Sequence, residues 1–211
     1  MTTKKEMNAI LDIMEQTFPN AECELTYTNI FELLIAVMLS ARTTDKSVNK
    51  ITPALFKKYP TPQDFLTVTV EELMQDINKI GLYKSKARHI QQCCQQLLEN
   101  HNGQVPNTFE ALTALAGVGR KTANVVLSVG FNVPAIAVDT HVERVSKCLG
   151  IVKKDATPLE VEETLKKKVP KERWSRAHHL FIFWGRYRCT RSARNHVCPA
   201  CNSIKSAIKG S

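Results

Sequence analysis

The sequence predicts an all-helical protein, and three observations carry that expectation. Apolar residues recur at helical spacing in Met7-Ile10-Leu11-Met14, Phe31-Leu34-Ile35-Met38 and Ile90-Leu97-Leu98. Residues suited to capping a helix start stand before several of these runs and before others like them. Only Val133-Pro134-Ala135-Ile136-Ala137-Val138 reads as extended. It contains Pro134 and has no partner strand of similar strength, so it reads as a crossing segment rather than part of a sheet.

In chain order, Thr28 or Asn29 is expected to cap a helix beginning at Ile30, Thr44 one beginning at Asp45, and Thr69 one carrying Glu71 and Glu72. Pro53 should break the helical run between Asp45 and Lys58. A helix from Phe109 to Leu115 stops at Gly117-Val118-Gly119, and a second follows with Val125, Val126 and Val129 on its apolar face. Asp139 can cap the next. Pro158 opens a helix whose first turn carries Glu160, Glu162 and Glu163, where the dipole favours acids. That helix has Val161, Leu165 and Val169 on one face and ends at Pro170. The last predicted helix runs from Lys171 to about Arg188 and is rich in aromatics.

A length of 211 residues fits one large or two small domains, with enough surface to bury a core unaided. Composition excludes disorder, collagen and coiled coil. The net charge of +9 points to a polyanion, nucleic acid before an anionic membrane surface. Arg186, Arg188, Arg191, Arg194, Lys205 and Lys209 supply +6 of it, with no acid after Arg186. The start lacks the apolar core of a signal peptide, and Ile30–Leu39 is too short to span a bilayer. A cytoplasmic, nucleoid-associated monomer is expected. Seven cysteines without an export signal read as thiols or metal ligands.

The most informative string is Leu115-Ala116-Gly117-Val118-Gly119-Arg120-Lys121-Thr122-Ala123. Two glycines suit a tight turn with positive φ and close approach of a ligand to the backbone. The amides of the turn and of the following helix start then form an anion site. Such a site holds a DNA phosphate without reading sequence. Lys121 lies in the first helical turn, where the dipole opposes a cation and favours the neutral amine a nucleophile requires. Partial burial would act in the same direction. A lysine that contacts phosphate is the alternative. Asp139 is a helix cap by position, and its carboxylate is also suited to face an active site.

These strings resemble a known family. Leu-x-Gly-Val-Gly-x-Lys-Thr-Ala is similar to the helix-hairpin-helix of the DNA glycosylases, and Lys121 directly after the hairpin resembles the endonuclease III branch. Val138-Asp139-Thr140-His141-Val142 resembles that family's Val-Asp-Thr-His motif. Phe31 to Ala41 is similar to its first barrel helix, Ile80-Gly81-Leu82-Tyr83 to its DNA-wedge loop, and His178-His179 to Tyr187 to the helix before its iron–sulfur loop. The resemblance implies two helical domains flanking a DNA-binding cleft. A six-helix barrel would span 23–133, and residues 1–22 and 134–211 together would form the second domain. It implies a bifunctional glycosylase and AP lyase acting on oxidised pyrimidines in double-stranded DNA, with a flipped-out lesion. Lys121 and Asp139 would be catalytic. Gly117, Val118, Gly119, Arg120, Arg42, Leu82, His141 and Arg186 would contact DNA, with Leu82 as the wedge. A non-catalytic helix-hairpin-helix module and an adenine mismatch glycosylase are the alternatives.

The chain departs from the family twice. Arg42 stands where the family commonly has Gln filling the hole left by the flipped nucleotide. Arg42 is longer and charged, suited to stack on or hydrogen-bond the orphaned base. The cysteine loop reads Cys189-x8-Cys198-x2-Cys201 rather than the family's Cys-x6-Cys-x2-Cys-x5-Cys, and Ala207 stands where the fourth cysteine should be. A [4Fe–4S] cluster takes four thiolates and the loop offers three. The expectation is a lost or degenerate cluster. A Cys3His zinc site using His196, or a cluster with an outside ligand, stays open. Cys23, Cys93, Cys94 and Cys148 match no ligand spacing. Cys93 and Cys94 read as helix residues, one of them buried.

Overall fold

A computed structural model of the chain describes residues 2–190 and 198–209. It is helical throughout, with no strand among the described residues. The chain divides into two compact units, Met1–Cys23 with Pro134–Ser211, and Glu24–Val133.

The Glu24–Val133 unit is built around α2 (Ile30–Ser40), in which every residue from Phe31 to Leu39 is buried. A helix apolar on all sides is stable only inside a core. Asn29 caps α2 by accepting from the Glu32 amide, and Glu32 turns back to accept from the Thr28 amide and hydroxyl. Thr44 caps α3 (Asp45–Asn49). The break before α4 (Thr52–Lys58) falls just ahead of Pro53, which occupies the first turn, where its missing N–H costs nothing. Thr69 forms a reciprocal capping box with Glu72 at the start of α5 (Val70–Asp76). The long α6 (Tyr83–His101) buries Lys86, Ile90, Cys93, Cys94 and Leu97 on one stripe. Both cysteines of the pair are therefore core residues, not one. The unit ends with α7 (Phe109–Thr113), α8 (Arg120–Val125) and a π-turn over Val126–Gly130.

The other unit uses both ends of the chain. α1 (Lys4–Thr17) buries Met7, Ile10, Leu11 and Met14. These pack with Val142, Val145 and Leu149 of α9 (Thr140–Leu149), Val161 and Leu165 of α10 (Pro158–Lys168), and Leu180, Phe181 and Trp184 of α11 (Trp174–Tyr187). Each such side chain contributes about 1.5–3 kcal/mol when fully buried. Arg176 ties α11 to the end of α1 by donating to Glu15 and to the carbonyls of Phe18, Pro19 and Ala21. The Lys171–Arg188 region starts as a 3-10 turn over Lys171–Arg173 before α11 proper. A final helix, α12 (Pro199–Lys209), was not expected from the sequence. Its apolar face, Ile204 and Ile208, joins this core.

Candidate DNA-binding and catalytic site

The Gly117-Val118-Gly119 turn joins α7 to α8, and its two glycines do different work. Gly117 sits at φ +74°. A Cβ there would lie 2.7 Å from His89 Cβ and 3.0 Å from Met38 Cε, so only glycine fits. Gly119 instead has φ −87° and ψ 177°, an ordinary extended conformation, which corrects the expectation of positive φ at both. A Cβ on Gly119 would meet nothing within 4 Å. The open space there leaves the backbone accessible from outside. Gly119 has no side chain to cap α8, and the first amides of any helix lack intrahelical acceptors. The Val118 side chain is buried, so only its backbone faces outward in this turn. Arg120 is exposed and lies over the Phe109 ring, 5.0 Å from its centre. Lys121 is also exposed, so the expected partial burial is not found.

Two further loops of this unit meet each other. Arg42 and Leu82 both adopt left-handed backbone, at φ 57° and 61°. Such a conformation costs a non-glycine residue about 1–2 kcal/mol and collects at functional sites. The chain at Gly81 lies against the Arg42 carbonyl and the Thr43 hydroxyl. Leu82 is 53% exposed, unusual for a leucine in a well-packed domain. Lys86 holds the two loops together. Its buried ammonium donates to the Leu39 carbonyl at 2.7 Å, the Ala41 carbonyl at 2.6 Å and Thr43 Oγ1 at 3.3 Å. It thereby caps the C-terminus of α2 directly before Arg42. Burial pushes its pKa down to about 8. Sequence reasoning missed this role, although a lysine in step with Ile90, Cys93, Cys94 and Leu97 is a visible signal.

Asp139 caps α9 in the other unit. Its Oδ1 accepts from the amides of His141 at 2.8 Å and Val142 at 2.9 Å. Both bonds fall on one oxygen of the half-buried carboxylate. The preceding segment is held by His178, whose Nδ1 donates to the Ala137 carbonyl at 2.8 Å inside the core. α9 lies close along α11. A Cβ on Gly185 would come within 2.7 Å of His141 Cβ. Arg144 fastens this crossing, donating to the Gly185 carbonyl at 2.7 Å and through Nε to the Cys189 carbonyl at 3.1 Å. His141 is half-buried, and its pKa is lowered chiefly by burial. Arg186 sits half-buried in the last turn of α11, close enough for its charge to act on His141. Arg191, Arg194 and His196 lie outside the described residues.

The cysteines are the clearest departure from sequence expectation. Cys189, Cys198 and Cys201 come together with Cys148 from the last turn of α9, all four sulfurs lying within 4.8 Å of one another. Cys148 fits no linear ligand pattern because a separate helix brings it to the group. The family's cluster spacing is not met: α12 continues through Ala207, which is exposed.

A glycine hairpin with an open backbone face, followed by an exposed lysine and set in an all-helical chain, defines a helix-hairpin-helix DNA-binding protein. Residues 35–171 match the HhH-GPD superfamily of base excision DNA repair proteins. The chain is 54% identical to endonuclease III of Bacillus subtilis over 210 residues, 99% of this chain and 96% of that one. It is 47% identical to endonuclease III of Escherichia coli over 192 residues, 91% of this chain and 90% of that one. A solved trapped endonuclease III–DNA covalent intermediate, an estranged-adenine complex, superposes with a TM-score of 0.90 at 53% identity, covering 97% of this chain and all of that one. A thermostable thymine-DNA glycosylase, 22% identical with a TM-score of 0.79, shares the fold. The chain belongs to the endonuclease III family within the HhH-GPD superfamily.

Proposed function

We infer that this protein is a base-excision-repair DNA glycosylase with AP lyase activity that removes oxidised pyrimidines from double-stranded DNA. The observation that carries the reading is the exposed Lys121, placed two residues beyond Gly119, the second hairpin glycine, which leaves the backbone open. The hairpin amides, with Arg120 beside them, hold a phosphate of the damaged strand. Lys121 attacks the sugar C1′ and the base leaves. Asp139 keeps one oxygen on the α9 cap, and its carboxylate takes the proton that the amine nitrogen loses as it bonds to C1′. The C1′–O4′ bond of the resulting aminal then opens to give a protonated Schiff base, which acidifies C2′. Loss of that proton expels the 3′ phosphate by β-elimination and breaks the strand. Leu82 wedges into the gap in the stack, and Arg42 addresses the orphaned base. His141 and Arg186 add contacts to the backbone. A DNA substrate supports a cytoplasmic, nucleoid-associated location.

Borohydride trapping on a thymine-glycol duplex tests this. A covalent adduct is expected with the wild type and none with Lys121→Ala. No adduct from protein that still binds abasic DNA would overturn the reading in favour of a binding module or a glycosylase without a lysine nucleophile.

A further inference from the structure

The family's iron–sulfur cubane fits this cysteine group poorly, and the mismatch has a direction. In a [4Fe–4S] cluster each thiolate binds a different iron, with sulfides between the irons, so the four cysteine sulfurs stand well apart around a bulky core. Here all four lie within 4.8 Å of one another. A single zinc ion with bonds of about 2.3 Å sets its four sulfurs about 3.8 Å apart at the corners of a tetrahedron. No pair of the observed sulfurs exceeds that spacing by more than about 1 Å.

The surroundings agree with one ion. Cys189, Cys198 and Cys201 are buried, and Cys148 is half-buried. The Cys201 amide points at Cys198 Sγ at 3.4 Å, a bond that supports a thiolate across a Cys-x2-Cys turn. Pro199 starts α12 directly after Cys198, so the turn between these two ligands is rigid. Arg144 fixes the backbone of Cys189 through its carbonyl. Cys148 lies near the C-terminus of α9, the end of a helix that favours a cation. Four thiolates on a divalent ion carry a net −2, which suits a terminal segment with six basic residues and no acid after Arg186.

We propose that Cys148, Cys189, Cys198 and Cys201 form a structural zinc site, in which Cys148 supplies the ligand absent from the loop. The ion would cross-link α9, the end of α11 and the start of α12. Because Asp139 caps the other end of α9, the same ion holds the helix that presents the carboxylate.

Full-length protein purified without oxygen and without added metal tests the proposal by elemental and sulfide analysis. The expected result is about one zinc per chain, with neither iron nor sulfide. Cobalt exchanged into the site should give the visible bands of a tetrahedral ion and charge-transfer intensity corresponding to four thiolates. Cys148→Ser should lose zinc to a chelator that the wild type and Cys93→Ser both withstand. Should Cys148→Ser fail to fold, the cobalt spectrum of the wild type still counts the ligands. About four irons and four sulfides per chain with a brown chromophore would overturn the proposal. So would metal-free protein, a three-thiolate cobalt spectrum, or zinc held equally well by Cys148→Ser.

Discussion

Alanine at Gly117 and alanine at Gly119 should fail in opposite ways, although the two positions are separated by one residue. At Gly117 the new methyl would lie 2.7 Å from His89 Cβ, which is fixed to the α6 backbone, and 3.0 Å from Met38 Cε, which can move. The overlap costs about 1–3 kcal/mol. Holding alanine at φ +74° adds about 1–2 kcal/mol. Loss of glycine freedom in the unfolded chain returns about 0.4–1 kcal/mol. The net destabilisation is roughly 1–5 kcal/mol, which for a chain of this size lowers Tm by roughly 2–20 °C. At Gly119 the backbone is already extended and no atom lies within 4 Å, so neither penalty applies. The entropic gain roughly offsets the weaker alanine cap, and Tm should stay within about 2 °C. The methyl would instead occupy the space a phosphate needs. Losing charge-assisted hydrogen bonds of about 1.5–3 kcal/mol weakens binding roughly ten- to hundredfold. Thermal melts together with fluorescence anisotropy on a duplex carrying a stable abasic analogue separate the effects. If Gly119→Ala bound with wild-type affinity, or melted as low as Gly117→Ala, the division of labour in the hairpin would be wrong.

Asparagine caps a helix as well as aspartate does, so Asp139→Asn should melt with the wild type while its borohydride adduct forms more slowly; Asp139→Ala should also lose about 1 kcal/mol of stability. An unchanged trapping rate in Asp139→Asn would remove the carboxylate from the mechanism. Lys86 has a folded pKa of about 8 against an ordinary 10.5, so between those values the unfolded chain binds more protons and stability from this group rises with pH. Lys86→Met should lose that rise and also leave the Leu39 and Ala41 carbonyls unpaired, at about 1–3 kcal/mol each. Urea titrations at pH 8 and pH 10 would refute this assignment if the two proteins changed in parallel. Arg42→Gln should keep its affinity for lesion DNA and shift the preference for the opposite base; affinity and opposite-base preference both unchanged from the wild type would exclude Arg42 from that role.

Helix starts were legible wherever the chemistry is local. Thr44, Thr69 and Asp139 bond to amides two or three residues ahead, so a short string contains both partners. The hairpin was legible for the same reason, because its turn, its glycines and Lys121 are consecutive. Within it, the sequence could not separate the two glycines, since what excludes a side chain at Gly117 is His89 on another helix. α12 carries only a short local signal, Pro199 at its start and the Ile204–Ile208 pair on its apolar face, beside three cysteines.

Positioning groups that act across long sequence separations were hidden. Lys86 reaches the end of α2, Arg144 reaches α11, and His178 reaches back to Ala137. Each satisfies a backbone carbonyl, an acceptor every residue carries, so no residue pattern marks the partner. Cys148 is the sharpest case. Linear spacing describes ligands that share a loop, and Cys148 matches no such spacing. Packing of α9 against α11 and α12 places its sulfur among the other three. Local hydrogen bonding and apolar periodicity thus wrote the helices and the hairpin into the chain, whereas the completeness of the cysteine group was decided by helix packing, which sets the distance between residues irrespective of their order.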